Sequence, residues 1–370
     1  MRNLIFGLAR PMMRLLGRDE SGAIGVLIAV LIGGGVLLGM GALTIDVGRL
    51  YQNQAELQNG ADAAALAVAK SCASSTCNPG LAGGYANANA SNLTAGQATV
   101  DLVCGTGSLG AGCVSPLLTC PANPAAGTNY VDVRTSTGTP GGLLPPVFAR
   151  TLVGNSGYSG TNVKACAQAE WGPPKTASTI AFTVSACEWD QATNQGATFA
   201  PAPPYPPNPL PASSLDRVLK IHTTKSNSGC TTEPAGADAP GNFGWTDDTG
   251  NCSVTISNNS YGGNTGTSAS QDCKTALQND QANRTLIFIP VYTKVTGNGT
   301  NATFTLKGFA AFVITGYRLP GFSQSDWLNP KNDCKGSDFC INGYFTQGLV
   351  PSSGSVGGTN LGASIIVLSG

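Results

Sequence analysis

From Ala23 to Ile45 the chain carries no charge and is built almost entirely of Ile, Leu, Val, Ala and Gly. As a helix at 1.5 Å per residue this stretch reaches about 35 Å, enough to cross a hydrocarbon core with some tilt. The pattern then changes without a break. Leu43, Val47, Leu50, Gln54, Leu57, Ala61, Ala64 and Val68 recur at alternating steps of four and three, and only Gln54 is polar. That is a short coiled-coil-like stripe. Asp46, Arg49, Gln52, Asn53, Glu56 and Gln58 fall off it. The expectation is a transmembrane helix over 21–45 that continues into an amphipathic juxtamembrane helix over 46–71. Gly60 is a weak point in that helix, and the run CASSTCNPG from Cys72 to Gly80 ends it.

The remainder reads as strands and turns. Tyr130–Thr135 alternates, with Val131 and Val133 on one face and Asp132 and Arg134 on the other. Asn162–Trp171 alternates as well, and both are half-buried strand patterns. Pro145–Val153 between them reads as a short helix. Gly172-Pro173-Pro174 marks a boundary. Beyond it, residues 179–190 open a second strand-rich unit, and residues 201–211 (PAPPYPPNPLP) form an extended proline-rich surface loop. Residues 216–225 read as a strand. A Gly/Asn/Thr/Ser tract over 226–272 reads as a long loop ordered by disulfides. Leu286–Tyr292, Phe304–Tyr317 (bent at Gly308) and Leu361–Leu368 are the expected core strands of the second unit. The fold class expected is α+β: one N-terminal transmembrane helix running into an extracytoplasmic helix, then β-rich, disulfide-bonded external domains. The expected divisions are a tail at 1–20, the helix at 21–45 and 46–71, a small α+β domain at 72–172 and a β-rich domain at 175–370.

Charge and cysteine usage set the orientation. Arg2, Arg10, Arg14 and Arg18 precede the apolar stretch, whereas only Arg49 and Lys70 follow it before residue 72. The basic side stays inside, so the N-terminus is expected in the cytoplasm and the bulk outside, in a single-pass protein of the cell membrane. All 12 cysteines lie on the far side. Cys72, Cys77, Cys104, Cys113, Cys120, Cys166, Cys187, Cys230, Cys252, Cys273, Cys334 and Cys340 contain no C-x2-C pair, so disulfides in an oxidising compartment are expected rather than zinc. The apolar run exceeds the 7–15 residues of a signal-peptide core and lacks an A-x-A site, which favours a retained anchor over a cleaved leader. Gly35 and Gly39 form a GxxxG pair that lets two helix backbones approach. With Val47, Leu50, Leu57, Ala61, Ala64 and Val68 they make up a candidate helix-pairing face. Lys+Arg and Asp+Glu both total 20 and only 11% of residues are charged. A nucleic-acid partner, which requires a basic surface, is therefore excluded.

No catalytic constellation stands out. His222 is the one histidine, it lies in a strand pattern, and no G-x-S-x-G or H-E-x-x-H accompanies it. Asp247-Asp248 reads as a turn rather than a calcium loop. Gly105–Gly110 (GTGSLG) has the glycine spacing of a dinucleotide fingerprint without its strand-to-helix setting, and reads as a loop. No catalytic residue, metal ligand or cofactor is assigned.

The run DVGRLYQNQAELQNGADAAALAVAK, placed directly after SGAIGVLIAVLI and a glycine-rich apolar helix, resembles the N-terminal region of bacterial Tad/Flp pilus-assembly proteins of the TadE/TadG type. The matching positions are Gly22, Asp46, Tyr51, Leu57, Gln58 and the run Asp62-Ala63-Ala64-Ala65-Leu66-Ala67. The resemblance covers residues 20–70 strongly, extends weakly to about 171, and does not reach 175–370. It implies a bitopic envelope protein that is not an enzyme and that works with other Tad-type pilus or secretion proteins, in assembly, anchoring or surface display. Self-association through the N-terminal helix is expected from the GxxxG pair and the apolar stripe rather than from the resemblance. Two departures limit the transfer. Gly17 and Gly22 are each followed five residues on by a residue other than the glutamate of processed prepilins (Gly22 and Leu27), and the D-x-S-x-S metal motif of larger TadG-like members is absent. The competing expectations are an adhesin or binding module carried on a Tad-like anchor, and an anchored hydrolase using His222.

Overall fold

The computed structural model describes residues 21–33, 36–74, 76–90, 93, 98–110, 113, 120–137, 161–220, 243–248, 250–264, 268–297, 301–331, 338–350 and 353–369. The basic tail, Gly35, the helix expected at 145–153, His222, Cys230 and Cys334 lie outside these residues.

Helix α1 (Ser21–Gly33) has 13 residues, about 20 Å of rise, against roughly 30 Å of hydrocarbon. Helix α2 (Val36–Ala73) has 38 residues, but it is apolar only at its start. Among the described residues, no helix is long and apolar enough to cross a membrane. The span expected over 21–45 runs through residues 34 and 35, which lie outside the described residues; α1 and the start of α2 are its described parts. The end of α2 is where the sequence places it. Cys72 is bonded to Cys77, and the Asn78 amide donates to Ser71 Oγ at 2.9 Å.

The second half of α2 lies on a 5-stranded sheet of order β1 (Ala98–Gly105), β2 (Asn129–Thr137), β3 (Lys164–Gly172), β17 (Ala363–Leu368) and β14 (Gly348–Leu349). Helix α3 (Leu81–Asn89) packs beside α2. Alternation in the strands explains the core. Val131 and Val133 of β2, with Ala165, Ala167 and Ala169 of β3, turn to the helix and join Leu57, Ala61, Ala64, Ala65, Val68 and Ala69 in one buried cluster. Small side chains on both layers allow the helix to lie close to the sheet. Gly60 is part of that closeness: a Cβ there would sit 2.8 Å from the Ala86 carbonyl oxygen of α3.

Strand β17 does more than the sequence reading assigns to it. It was expected to close the core of the second unit, yet it pairs antiparallel with β3, from Ile365↔Gly172 to Leu368↔Ala169. Its two faces divide the work. Ala363 and Ile365 enter the aromatic core of the C-terminal half, while Ile366 packs against the cluster under α2.

The C-terminal half contains a 9-stranded sheet. Strands β10 (Leu286–Thr296), β5 (Phe182–Ser185), β7 (Phe243–Thr246), β9 (Ser260–Asn264) and β11 (Thr303–Leu319) form a closed circuit, because β11 also pairs with β10. Tyr261 stacks on Phe304 at 5.4 Å and Tyr292 lies 4.9 Å from Phe304. Thr183 Oγ1 hydrogen-bonds the Tyr261 hydroxyl, and Gly244 and Gly263 leave room for the Phe304 ring. The register slips where β11 passes from Leu306 to Gly308, which is the bend expected at Gly308. Strands β13 (Cys340–Thr346) and β6 (Arg217–Lys220) extend the sheet, and β4 (Pro174–Ile180) lies between β8 (Ser253–Ile256) and β15 (Gly354–Val356) in a 3-stranded sheet. The tract expected as a long loop over 226–272 therefore holds three short strands, with Cys252 bonded to Cys273 at its end. In the proline-rich segment, Tyr205 donates to the Pro201 carbonyl at 2.7 Å and its hydroxyl lies 2.6 Å from that of Tyr344 on β13.

Candidate functional site

Helix α2 changes environment along its length. Near its start Met40 is 66% exposed and Leu43 57%, and Tyr51 is 71% exposed. From Leu57 onward the stripe is covered: Leu57, Ala61, Ala64 and Val68 are all at 0%. The face read as one pairing stripe is thus two surfaces. Leu57, Ala61, Ala64 and Val68 belong to the core of this chain. Leu43, Val47 and, in part, Leu50 remain open, and Gly39 lies half-buried above them.

The motif positions explain how the lower half is held. Gln58 Nε2 donates to Asp62 Oδ1 at 2.8 Å, one turn on, and to the Cys166 carbonyl of β3 at 3.0 Å. Thr135 of β2 donates to the Leu57 carbonyl at 3.0 Å. The helix backbone and one amide side chain are therefore tied to the two central strands, which fixes its rotation. Ala63 is partly buried and Leu66 is exposed. Asp46 is partly buried and has a partner. Gly22 lies in α1.

Where the open and covered halves meet there is a groove of about 380 Å³ between the helix and the lead-in to β3, lined by Val47, Leu50, Tyr51, Gln54, Thr161, Asn162, Val163 and Lys164. Its lining is part apolar and part polar, and Lys164 in it is exposed. With the stripe above it, this groove makes one continuous, partly apolar surface along α2. The sequence offers no direct sign of the groove, since Thr161–Lys164 meet the helix only through the tertiary fold.

Residues 22–71 match the family model of putative Flp pilus-assembly TadE/G-like proteins. The resemblance read from the sequence is met over those residues, and the match ends within three residues of the C-terminus of α2. No curated protein and no solved structure matches the chain. The Tad-matched segment is thus α1 together with α2, with both its exposed stripe and its docked half.

Disulfides are present as expected. Cys72–Cys77, Cys104–Cys113, Cys120–Cys166 and Cys252–Cys273 are bonded. Cys187 and Cys340 are also in disulfides. Among the described residues, one group has the spacing of metal ligands, Cys104, Cys113 and Asp132. Both of its sulfurs are in one disulfide, so it offers no thiolate. Asp248 is a turn residue: Oδ1 accepts from the Gly250 and Ser253 amides at 2.9 and 3.2 Å, and Oδ2 from Ser270 Oγ at 3.1 Å. Its oxygens are taken by the protein, as the turn reading of GWTDDTGN requires.

Proposed function

We propose that this protein is a membrane-anchored, non-enzymatic component of a Tad/Flp-type pilus assembly or secretion system in the cell envelope. The observation that carries the reading is the division of the Tad-matched segment, whose lower half is locked to its own sheet while its upper half shows an uncovered apolar stripe. Residues 23–45 anchor the chain in the membrane, with the N-terminus in the cytoplasm and the disulfide-bonded body outside. Apolar side chains from Ile24 to Val47 that would be costly in water are satisfied by lipid or by a neighbouring helix. The stripe of Met40, Leu43 and Val47, with the groove at Tyr51, receives another Tad-type helix or a second copy. The external domains act in assembly, anchoring or display.

The test joins a cellular and a biochemical arm. Deleting the gene should abolish pili, and the full chain should resist alkaline extraction from membranes. A photo-crosslinking amino acid in place of Tyr51 should capture another pilus-assembly protein or a second copy. Intact pili with lost attachment would move the reading to an adhesin on a Tad-like anchor. Full extraction by alkali would overturn the anchor.

A further inference from the structure

The face of the first sheet that points away from α2 is not a plain outer surface. Register places Cys104 of β1 opposite Asp132 of β2, and Asp132 opposite Gln168 of β3. The adjoining row is Leu102, Arg134 and Cys166. Over these rows lies a cavity of about 240 Å³, also lined by Cys113, Cys120, Pro121, Ala122 and Asn123. Two disulfides, Cys104–Cys113 and Cys120–Cys166, thus border one cavity.

Asp132 is 3% exposed. One of its oxygens and the sulfurs of Cys104 and Cys113 all lie within 4.8 Å of one another. Burial holds its carboxyl above the usual range, opposed by the hydrogen bond from Gln168 Nε2 at 2.9 Å. Gln168 is itself fixed by Ser369, which donates to Gln168 Oε1 at 2.8 Å. Cys104 is 7% exposed and Cys113 is more open, so an incoming thiol meets Cys113 first. A structural disulfide needs no acid beside it, and an acid buried at this cost with a single side-chain donor calls for another purpose.

The geometry points to Cys104–Cys113 as a thiol–disulfide exchange site for an external dithiol, with Asp132 as its proton donor. The thiolate of the dithiol attacks Cys113 Sγ. The S–S bond breaks, its electron pair leaves on Cys104, and the Asp132 carboxyl protonates Cys104 Sγ. The second thiol of the dithiol then attacks its own partner sulfur in the mixed disulfide, and Cys113 departs with that thiol's proton. The dithiol becomes a disulfide, Cys104 and Cys113 become thiols, and water returns a proton to Asp132. Without a donor, the buried Cys104 would have to leave as an uncompensated thiolate. Arg134, paired with Asp101 at 3.9 Å, also lines the cavity. Reduction would unpin Cys113 from β1, the edge strand of the sheet.

The neighbouring Cys120–Cys166 is the internal control. It borders the same cavity, pairs one buried with one half-buried cysteine, and is not in the close group with Asp132. The full chain would be treated with dithiothreitol or with reduced thioredoxin, quenched by alkylation, and read by peptide mass at each cysteine. Cys104–Cys113 should open at least about tenfold faster than Cys120–Cys166, a modest share of the range of general-acid catalysis. Asp132→Asn should bring that ratio towards one by slowing Cys104–Cys113 alone. A variant that merely loosens the sheet would instead speed both disulfides. Asp132→Glu, which keeps the acid, should retain most of the ratio. The faster of the two reagents shows whether the site admits a small dithiol or a protein one. Equal rates in the wild-type chain, or a ratio untouched by Asp132→Asn, would overturn the assignment.

Discussion

Gly60 gives the sharpest test of how α2 is held. In a helix interior, Gly→Ala ordinarily stabilises by about 0.8–1.0 kcal/mol, because alanine restricts the unfolded chain. At Gly60 the added methyl would meet the Ala86 carbonyl oxygen at 2.8 Å and the Ala90 Cβ at 3.2 Å. The first of these is backbone, so α3 as a whole must move. Overpacking of this kind costs about 1–3 kcal/mol. The net for Gly60→Ala is therefore a loss of about 0–2 kcal/mol, opposite in sign to the usual helical expectation. Gly84, exposed on α3 with nothing within 4 Å of its virtual Cβ, is the matched control, and Gly84→Ala should gain about 0.5–1 kcal/mol. The assay is urea unfolding of the full chain in mild detergent, followed by circular dichroism at a helical wavelength. Gly60→Val should shift the midpoint further down than Gly60→Ala. A rise in midpoint for Gly60→Ala equal to that for Gly84→Ala would refute the close approach of the two helices.

Four further outcomes follow from the same packing. Gln58→Ala removes two hydrogen bonds, one of them to the Cys166 carbonyl, and should cost about 1–2 kcal/mol in urea unfolding; an unchanged midpoint would mean that the tie is idle. Burial pushes the Asp280 carboxyl up to about 6, against a hydrogen bond with Thr285. The folded state therefore keeps a proton that the unfolded chain releases near pH 4, so this group's contribution falls as pH rises from about 4 to 6. Relative to wild type, Asp280→Asn should gain about 1–2 kcal/mol above pH 6, a figure reduced for the partial exposure of the site, and nothing below pH 4; a pH-independent difference would count against it. Cys252→Ser with Cys273→Ser opens a loop with a sequence separation of 21 and should cost about 3 kcal/mol, read as a lower thermal midpoint. Removing residues 363–369 takes away the strand beside β3 and should make α2 protease-sensitive, while equal resistance would show that three strands suffice to hold it.

The elements were largely legible and their partners were not. The four-three stripe located α2, and strict alternation located β2 and β3, because local backbone geometry imprints periods of 3.6 and 2 on a half-buried segment. The apolar runs at Leu286 and Phe304 became β10 and β11, bend included. Periodicity says which face is buried but not against what, so the stripe read as one pairing face divides into Leu43–Leu50, uncovered, and Leu57–Val68, covered by the chain's own sheet. For the same reason Leu361–Leu368 is legible as a core strand of the C-terminal half, whereas its pairing with β3 is not. Gln58 was visible as a motif position, but its bond to Cys166 spans a separation of 108 residues. The cavity beside Asp132 was illegible for a further reason. It depends on disulfide connectivity, which spacing alone leaves open, and on a cross-strand register that sets a carboxyl opposite a cysteine.

The place of β17 bears on the order in which the first sheet can form. The sheet that seats α2 joins strands far apart in the chain, since the Ser369 amide donates to the Gln168 carbonyl at 3.0 Å. A chain emerging N-terminus first exposes the underside of α2, β2 and β3 long before the strand that extends their sheet exists. Closure of such distant contacts is slow. Residues 363–369 therefore act as a keystone: a polypeptide cut short ahead of them leaves the sheet under α2 with an open edge at β3, available to aggregation and to proteases.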